Sequence, residues 1–172
     1  MSSNNVLNTN NSTLSSSFYM SKYYAPNRNA KTASNRKSIS NDLLISYDTN
    51  ALNKFITDIR SINYNATQSN SETNHKNKVS AFVSIYNNFT ESAKKSSSLD
   101  VTHRANRIMK FTKKQEDELK KIGITINEDS SLTLDTKKLE SADISKVKSL
   151  FSNSSTYMKE IKSAASKLDI GV

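Results

Sequence analysis

The sequence holds no cysteine and no tryptophan, only two glycines and one proline, and no apolar run near the 18 or so residues that span a bilayer. Each shortage excludes something. Without cysteine there is no disulfide framework, no thiolate zinc centre and no thiol nucleophile, and redox chemistry says nothing about compartment. With only His75 and His103, a histidine-rich metal centre is out of reach. So little glycine and proline argues against sandwiches, barrels and doubly wound sheets, whose tight turns and phosphate-binding loops consume both residues. Residues 1–20 lack the basic start and apolar centre of a secretory signal peptide, so none is expected. Neither membrane insertion nor a cofactor is expected from this composition.

What is abundant is Ser (30) and Asn (21) in 172 residues, with 34% hydrophobic residues and a mean hydropathy of -0.67. One domain of ordinary size is expected, part of it too polar to offset its ordering entropy. The net charge is +9. Residues 1–40 contain Lys22, Arg28, Lys31, Arg36 and Lys37 and no acid, interleaved with Phe18, Tyr19, Tyr23 and Tyr24. A basic, aromatic arm suits phosphate contact and base stacking. Five charges spread over 40 residues are nevertheless dilute beside the Lys/Arg blocks of nucleic-acid arms, and a solubilising tail is the better expectation. The aromatic cluster at 18–24 allows a third use, as a short segment docked on the body or a partner. The reading divides the chain into a disordered Ser/Asn-rich basic arm, residues 1–38, and a helical domain, residues 39–172.

Periodicity defines that domain. From Asp48, taken as a cap, Leu52, Phe55, Ile56, Ile59 and Ile62 recur at helical spacing and predict a helix over 48–65, followed by a polar run from 63 to 77. Val79, Phe82, Val83, Tyr86, Phe89 and Ala93 form a second stripe with heptad spacing, ending at the serines 96–98. With Asp100 as its cap, a third and longest helix carries Val101, Ala105, Ile108, Thr112, Gln115, Leu119 and Ile122. Gly123 then ends it as a left-handed C′ residue. Alternation takes over at Ile124 and Ile126, a polar turn follows, and Leu132 and Leu134 complete a β-hairpin near 124–134. Asp135 caps a short helix with Leu139; Ser141 or Asp143 caps another with Ile144, Val147, Leu150 and Phe151; a last helix carries Tyr157, Met158, Ile161, Ala164, Ala165 and Leu168. The expected fold is mainly α, an elongated bundle or coiled-coil-like set of helices with one hairpin.

Catalytic patterns are missing from this scheme. His75 and His103 stand in polar contexts without a carboxylate or histidine at ligand spacing, and both are read as surface residues. Asn127, Asp129, Ser131 and Asp135 offer oxygens at alternate positions, but Leu132 and Lys138 occupy places where an EF-hand needs Gly and Glu. The acids 116–118 lie among lysines three and four residues away, where ion pairing and solvation account for them. No nucleophile elbow or phosphate loop occurs, so an enzyme is not expected. The candidate interaction residues are those of the seams: Val79, Phe82, Tyr86, Phe89, Val101, Ala105, Ile108, Thr112, Gln115 and Leu119. Polar Thr112 and Gln115 either restrict partner choice or mark a wet stretch of helix. Two outcomes stay open, a seam left for a partner with Thr112 and Gln115 partly exposed, or a bundle whose helices bury one another completely.

The segment LKKIGITIN (119–127), followed by Asp129, LTLD (132–135), Lys138 with Leu139, and VKSLF (147–151), resembles the C-terminal region of the flagellar filament-cap family, hook-associated protein 2 or FliD. FVSIYN (82–87) is similar to that family's F-V-x-x-Y-N helix. The hairpin residues that carry the likeness are Gly123, Ile124, Asp129, Leu132, Leu134 and Asp135. Ser130 departs from the pattern, standing where the family has its turn glycine. The likeness covers about 79–168, and the chain has no room for the cap's central domains, so a small relative is expected. The resemblance implies export through the flagellar apparatus, a flagellum-associated or extracellular location, and a structural role through helix–helix association with flagellar subunits or with itself. The alternative reading is a cytoplasmic binding module that uses the basic arm for weak contact with nucleic acid or another anion.

Overall fold

A computed structural model describes residues 14–60 and 69–168. Short polar side chains set where its helices begin. Ser15 opens α1 (Ser16–Tyr23) by accepting from the Phe18 amide, and a 3-10 turn (Arg28–Lys31) and α2 (Ala33–Arg36) follow. Next come α3 (Asn41–Arg60), α4 (Ser69–Lys94) and α5 (Leu99–Lys113), the last capped by Ser98 through the Val101 amide. After α6 (Glu116–Lys121) the chain forms β1 (Ile124–Ile126) and β2 (Leu132–Leu134), then α7 (Thr136–Ser141), α8 (Ile144–Phe151) and α9 (Thr156–Ala165). Asp135, Asp143 and Ser155 cap these three helices by accepting from the amides of Lys138, Ser145 and Met158. Each such cap satisfies an amide that the helix itself leaves unpaired. The fold is mainly α with one antiparallel hairpin among the described residues, as the periodicity predicts.

The long helix α4 is the axis of the packing. It lies against α3 and also meets α1, α5, α7 and β2, while α9 packs on both α3 and α5. The Phe82 ring, fully buried, is the hub. It stacks on Phe55 of α3 at 4.9 Å and meets Phe151 of α8 edge-on at 5.4 Å and Tyr157 of α9 at 6.5 Å. One aromatic side chain therefore ties four helices together, with geometry-dependent attraction added to its area burial. Val79, Tyr86 and Phe89 are buried on the same stripe.

The hairpin pairs Ile124 with Leu134, Thr125 with Thr133 and Ile126 with Leu132. Gly123 takes a φ of +88° just after the C-cap of α6, the left-handed position expected for it. Ser130 also has a positive φ, 67°, so the tight turn persists without the glycine that would accept it freely. The Asn127 carbonyl accepts from the Ser130 amide, and the Asp129 side chain accepts from both the amide and the hydroxyl of Ser131. Local side-chain bonds of this kind hold Asx-type turns closed.

Several expectations are corrected. Residues 14–38 are not a disordered arm: Tyr19, Tyr23, Tyr24, Ala30 and Arg36 are buried, and α1 packs on α3 and α4. The Ser/Asn average hid one aromatic face, with Tyr19 and Tyr23 four residues apart. Residues 1–13 lie outside the described residues. The helix predicted over 48–65 begins seven residues earlier, at Asn41, so Asp48 is an interior residue and no cap; positions 61–65 are outside the described residues. The polar run to 77 is no break either, because α4 takes it up from Ser69.

The predicted third helix is two. Thr112 turns its hydroxyl onto the Ile108 carbonyl, and the Gln115 amide bonds to the Thr112 carbonyl three residues back. Such tightening ends α5. The acids Glu116, Asp117 and Glu118 occupy the first turn of α6, where the helix dipole favours them. Ser98, rather than Asp100, is the cap of α5; Asp100 pairs with Arg104 instead.

Candidate functional site

The seam residues come together, but in the interior. Val101, Ala105 and Ile108 of α5 are 5%, 2% and 0% exposed, and α5 packs on α9, so this seam stripe is taken up within the chain and is not left for a partner. Thr112 is corrected likewise: it is fully buried, and its hydroxyl lies 3.1 Å from the Tyr157 hydroxyl of α9. Gln115 alone keeps the partial exposure expected of the pair. Leu119 and Ile122 turn inward from α6. Burial raises the Tyr86 hydroxyl to about 12, with Thr112 acting in the opposite sense, and pushes the Tyr157 hydroxyl higher still. Both phenols stay protonated; that of Tyr157 is within hydrogen-bond distance of Thr112, whereas the Tyr86 hydroxyl is buried with no hydrogen-bond partner among the described residues.

One side-chain amide of α4 pairs with the hairpin backbone at both its donor and its acceptor. Asn87 Nδ2 donates to the Leu132 carbonyl at 2.8 Å, and its Oδ1 accepts from the Leu132 amide at 2.7 Å. The side chain thus imitates a neighbouring strand. At the tip, Lys94 donates to the Asp129 carbonyl. Of the hairpin residues singled out from sequence, Ile124 and Leu132 are buried, Leu134 is partly buried, and Asp129 and Asp135 are exposed at the turn and at the cap of α7.

Two polar clusters escaped the sequence reading. In the first, Arg36 makes a bidentate pair with Asp48, 2.8 Å at each oxygen, and also donates to the carbonyls of Ala30 and Asn88. Asp48 further accepts from Tyr24 at 2.7 Å and Ser92 at 2.6 Å. With both residues buried, this network fastens the N-terminal segment to α3 and α4. In the second, Asp58 accepts from Tyr23 and is paired with Lys22 and Lys78. Burial alone raises its carboxyl, but the bonds from Tyr23, Lys78 and Lys22 outweigh it and hold it at about 2. No local spacing links residues 12, 35 or 36 positions apart, so periodicity had no means of finding either cluster.

His75 is corrected from a surface residue to a buried one, 6% exposed on α4. Desolvation, with Lys78 nearby, lowers its pKa to about 4. His103 is exposed, as read. Among the described residues no group of three or more His, Asp or Glu side chains lies together as a metal site, and no helix is long and apolar enough to cross a membrane. Comparisons with protein-family models, curated proteins and solved structures return no match.

Proposed function

We propose that the chain is a non-enzymatic structural or assembly protein, similar to part of a flagellar filament cap, that works by association with partner subunits at the flagellum. The observation that carries this reading is the Asn87 clamp. Asn87 closes the FVSIYN segment, and Leu132 opens LTLD; the two stretches are 45 residues apart yet meet through paired hydrogen bonds. A likeness found in two separated motifs is therefore a likeness in one packed unit, which supports common descent of the helix–hairpin unit more strongly than either motif alone. Role follows fold only by analogy, so the reading needs its own test.

The alternative, a basic arm reaching for nucleic acid, is weakened by where its residues go. Arg36 is buried against Asp48, Lys22 pairs with Asp58, and Tyr19, Tyr23 and Tyr24 lie inside. These groups hold the molecule together and are not available as a free phosphate-binding arm. Co-sedimentation of the purified protein with isolated flagella, with fractionation of the producing cells, tests the proposal. Retention with the filament or its hook–cap fraction is expected. A protein found only with the cytosol, and not retained by added flagella, would overturn it.

A further inference from the structure

The outward face of α3 floors a groove between α1 and the turn from α8 into α9. On the α1 side, a cavity of about 500 Å³ is bordered by Lys22 and Tyr23, with Asn50, Asn53 and Lys54 beneath it. Thr57 belongs to this cavity and to a second one of about 260 Å³ that reaches Arg60, Asn153 and Lys162. The two meet at that exposed residue.

Charge in the groove is one-sided. Lys22, Lys54, Arg60 and Lys162 border it against a single carboxylate, Asp58, which is already held by Tyr23, Lys22 and Lys78. Lys54 and Lys162 are exposed and enter no ion pair among the described residues. Arg60 donates one Nη to Asn153 at 2.6 Å, while its Nε has no partner among the described residues. Asn50 adds an amide donor, while Asn53 already donates to the Ala165 carbonyl at 3.4 Å. A ligand here must bring acceptors and negative charge.

We infer that this groove binds a short, extended acidic segment of a partner protein, its carboxylates reaching Lys54 on one side of Thr57 and Arg60 with Lys162 on the other. The inference rests on the reading of the chain as an association protein and names the chemistry of the partner. From Asn50 to Arg60 the helix rises roughly 15 Å, which four or five residues of extended chain would cover. A second copy is a poorer occupant, since a net charge of +9 makes like faces repel.

The test is fluorescence anisotropy of the full chain with a labelled peptide of six glutamates flanked by glycines. Saturable binding is expected, weakened at least about tenfold by Lys54→Glu or by Lys162→Glu. Thr57→Trp, which fills the junction of the two cavities without changing charge, abolishes it. Lys137→Glu on α7, with the same change in net charge, leaves it within about twofold. Melting curves confirm that each variant is folded, all four positions being exposed. Absence of binding by the parent protein overturns the inference. So does equal loss in Lys137→Glu, undiminished binding by Thr57→Trp, or a thymidine hexamer that binds with the same dependence on these variants. If Thr57→Trp still co-sediments with flagella, the groove is not the site although the association reading stands; failure of the parent protein to co-sediment overturns that reading instead.

Discussion

Gly123 and Ser130 present the same backbone problem and answer it differently. At Gly123, φ is +88° and an added Cβ would lie 2.7 Å from the Asp135 carbonyl oxygen. Gly123→Ala is therefore expected to cost more than the about 1–2 kcal/mol of a left-handed residue alone, read as a lowered urea midpoint. Ser130→Gly relieves that strain at 67° but loosens the unfolded chain, and should stabilise by up to about 1 kcal/mol. A midpoint raised by the first change or lowered by the second would contradict the assigned turn. His75 gives a residue-scale expectation of another kind. Its folded pKa is about 4, below the ordinary 6.5, so the unfolded chain takes up the proton first. The stability contributed by its neutral form is complete above pH 6.5 and declines as pH falls toward 4. Asp58, held at about 2 against an ordinary 3.8, loses its contribution in the separate window below that value. His75→Gln should flatten the dependence of unfolding free energy on pH between 6.5 and 4 and leave the lower window intact; an unchanged slope would place the histidine in water.

At the scale of elements, the hairpin is fastened to α4 by apolar contact, by the Asn87 amide and, at its tip, by Lys94. Asn87→Ala removes a donor and an acceptor from the partly buried Leu132 backbone, which is expected to cost about 1–3 kcal/mol. Amide exchange locates the effect: the Leu132 amide loses protection first, well before amides in the middle of α3. Equal loss across the molecule would mean that the hairpin and helices unfold as one unit. The elements also show why some of the fold was legible and some was not. Seams with spacings of three and four, a change to alternation after Gly123, and acid or serine caps are local signals, and the helices and hairpin of the C-terminal half follow them closely. The division of α5 from α6 is not local in that sense. Thr112 occupies a seam position in the sequence, and only its bond to the Ile108 carbonyl and its contact with Tyr157, 45 residues away, reveal that the helix ends there and that the position is buried. The apolar seam residues Val101, Ala105, Ile108 and Leu119 turn inward, but one stripe cannot tell whether its partner is another helix of the same chain. Here α9 packs on α5, and the exposed groove lies on α3, whose outward polar residues carried no motif.

Taken as a whole molecule, the chain depends on its N-terminal segment for more than solubility. Tyr23 meets Phe55 edge-on at 5.8 Å, and Arg36 supplies the charge that Asp48 needs inside α3. Removing residues 1–38 exposes part of the aromatic core and leaves a buried carboxylate without its guanidinium. Breaking such a buried pair on one side costs roughly 3–5 kcal/mol. That is a large share of the about 5–15 kcal/mol typical of a domain this size. Arg36→Ala in the full chain should reproduce most of this loss, because among the described residues Asp48 keeps only Tyr24 and Ser92 as donors. Arg36→Met with Asp48→Leu should recover much of it, since replacing both members of a buried pair with apolar groups removes the stranded charge. Equilibrium urea unfolding of the three variants against the parent gives the comparison. A truncated chain as stable as the full one would show that the segment rests on the body without supporting it. A double variant no better than Arg36→Ala would mean that the fastening depends on the Ala30 and Asn88 carbonyls more than on the charge of Asp48.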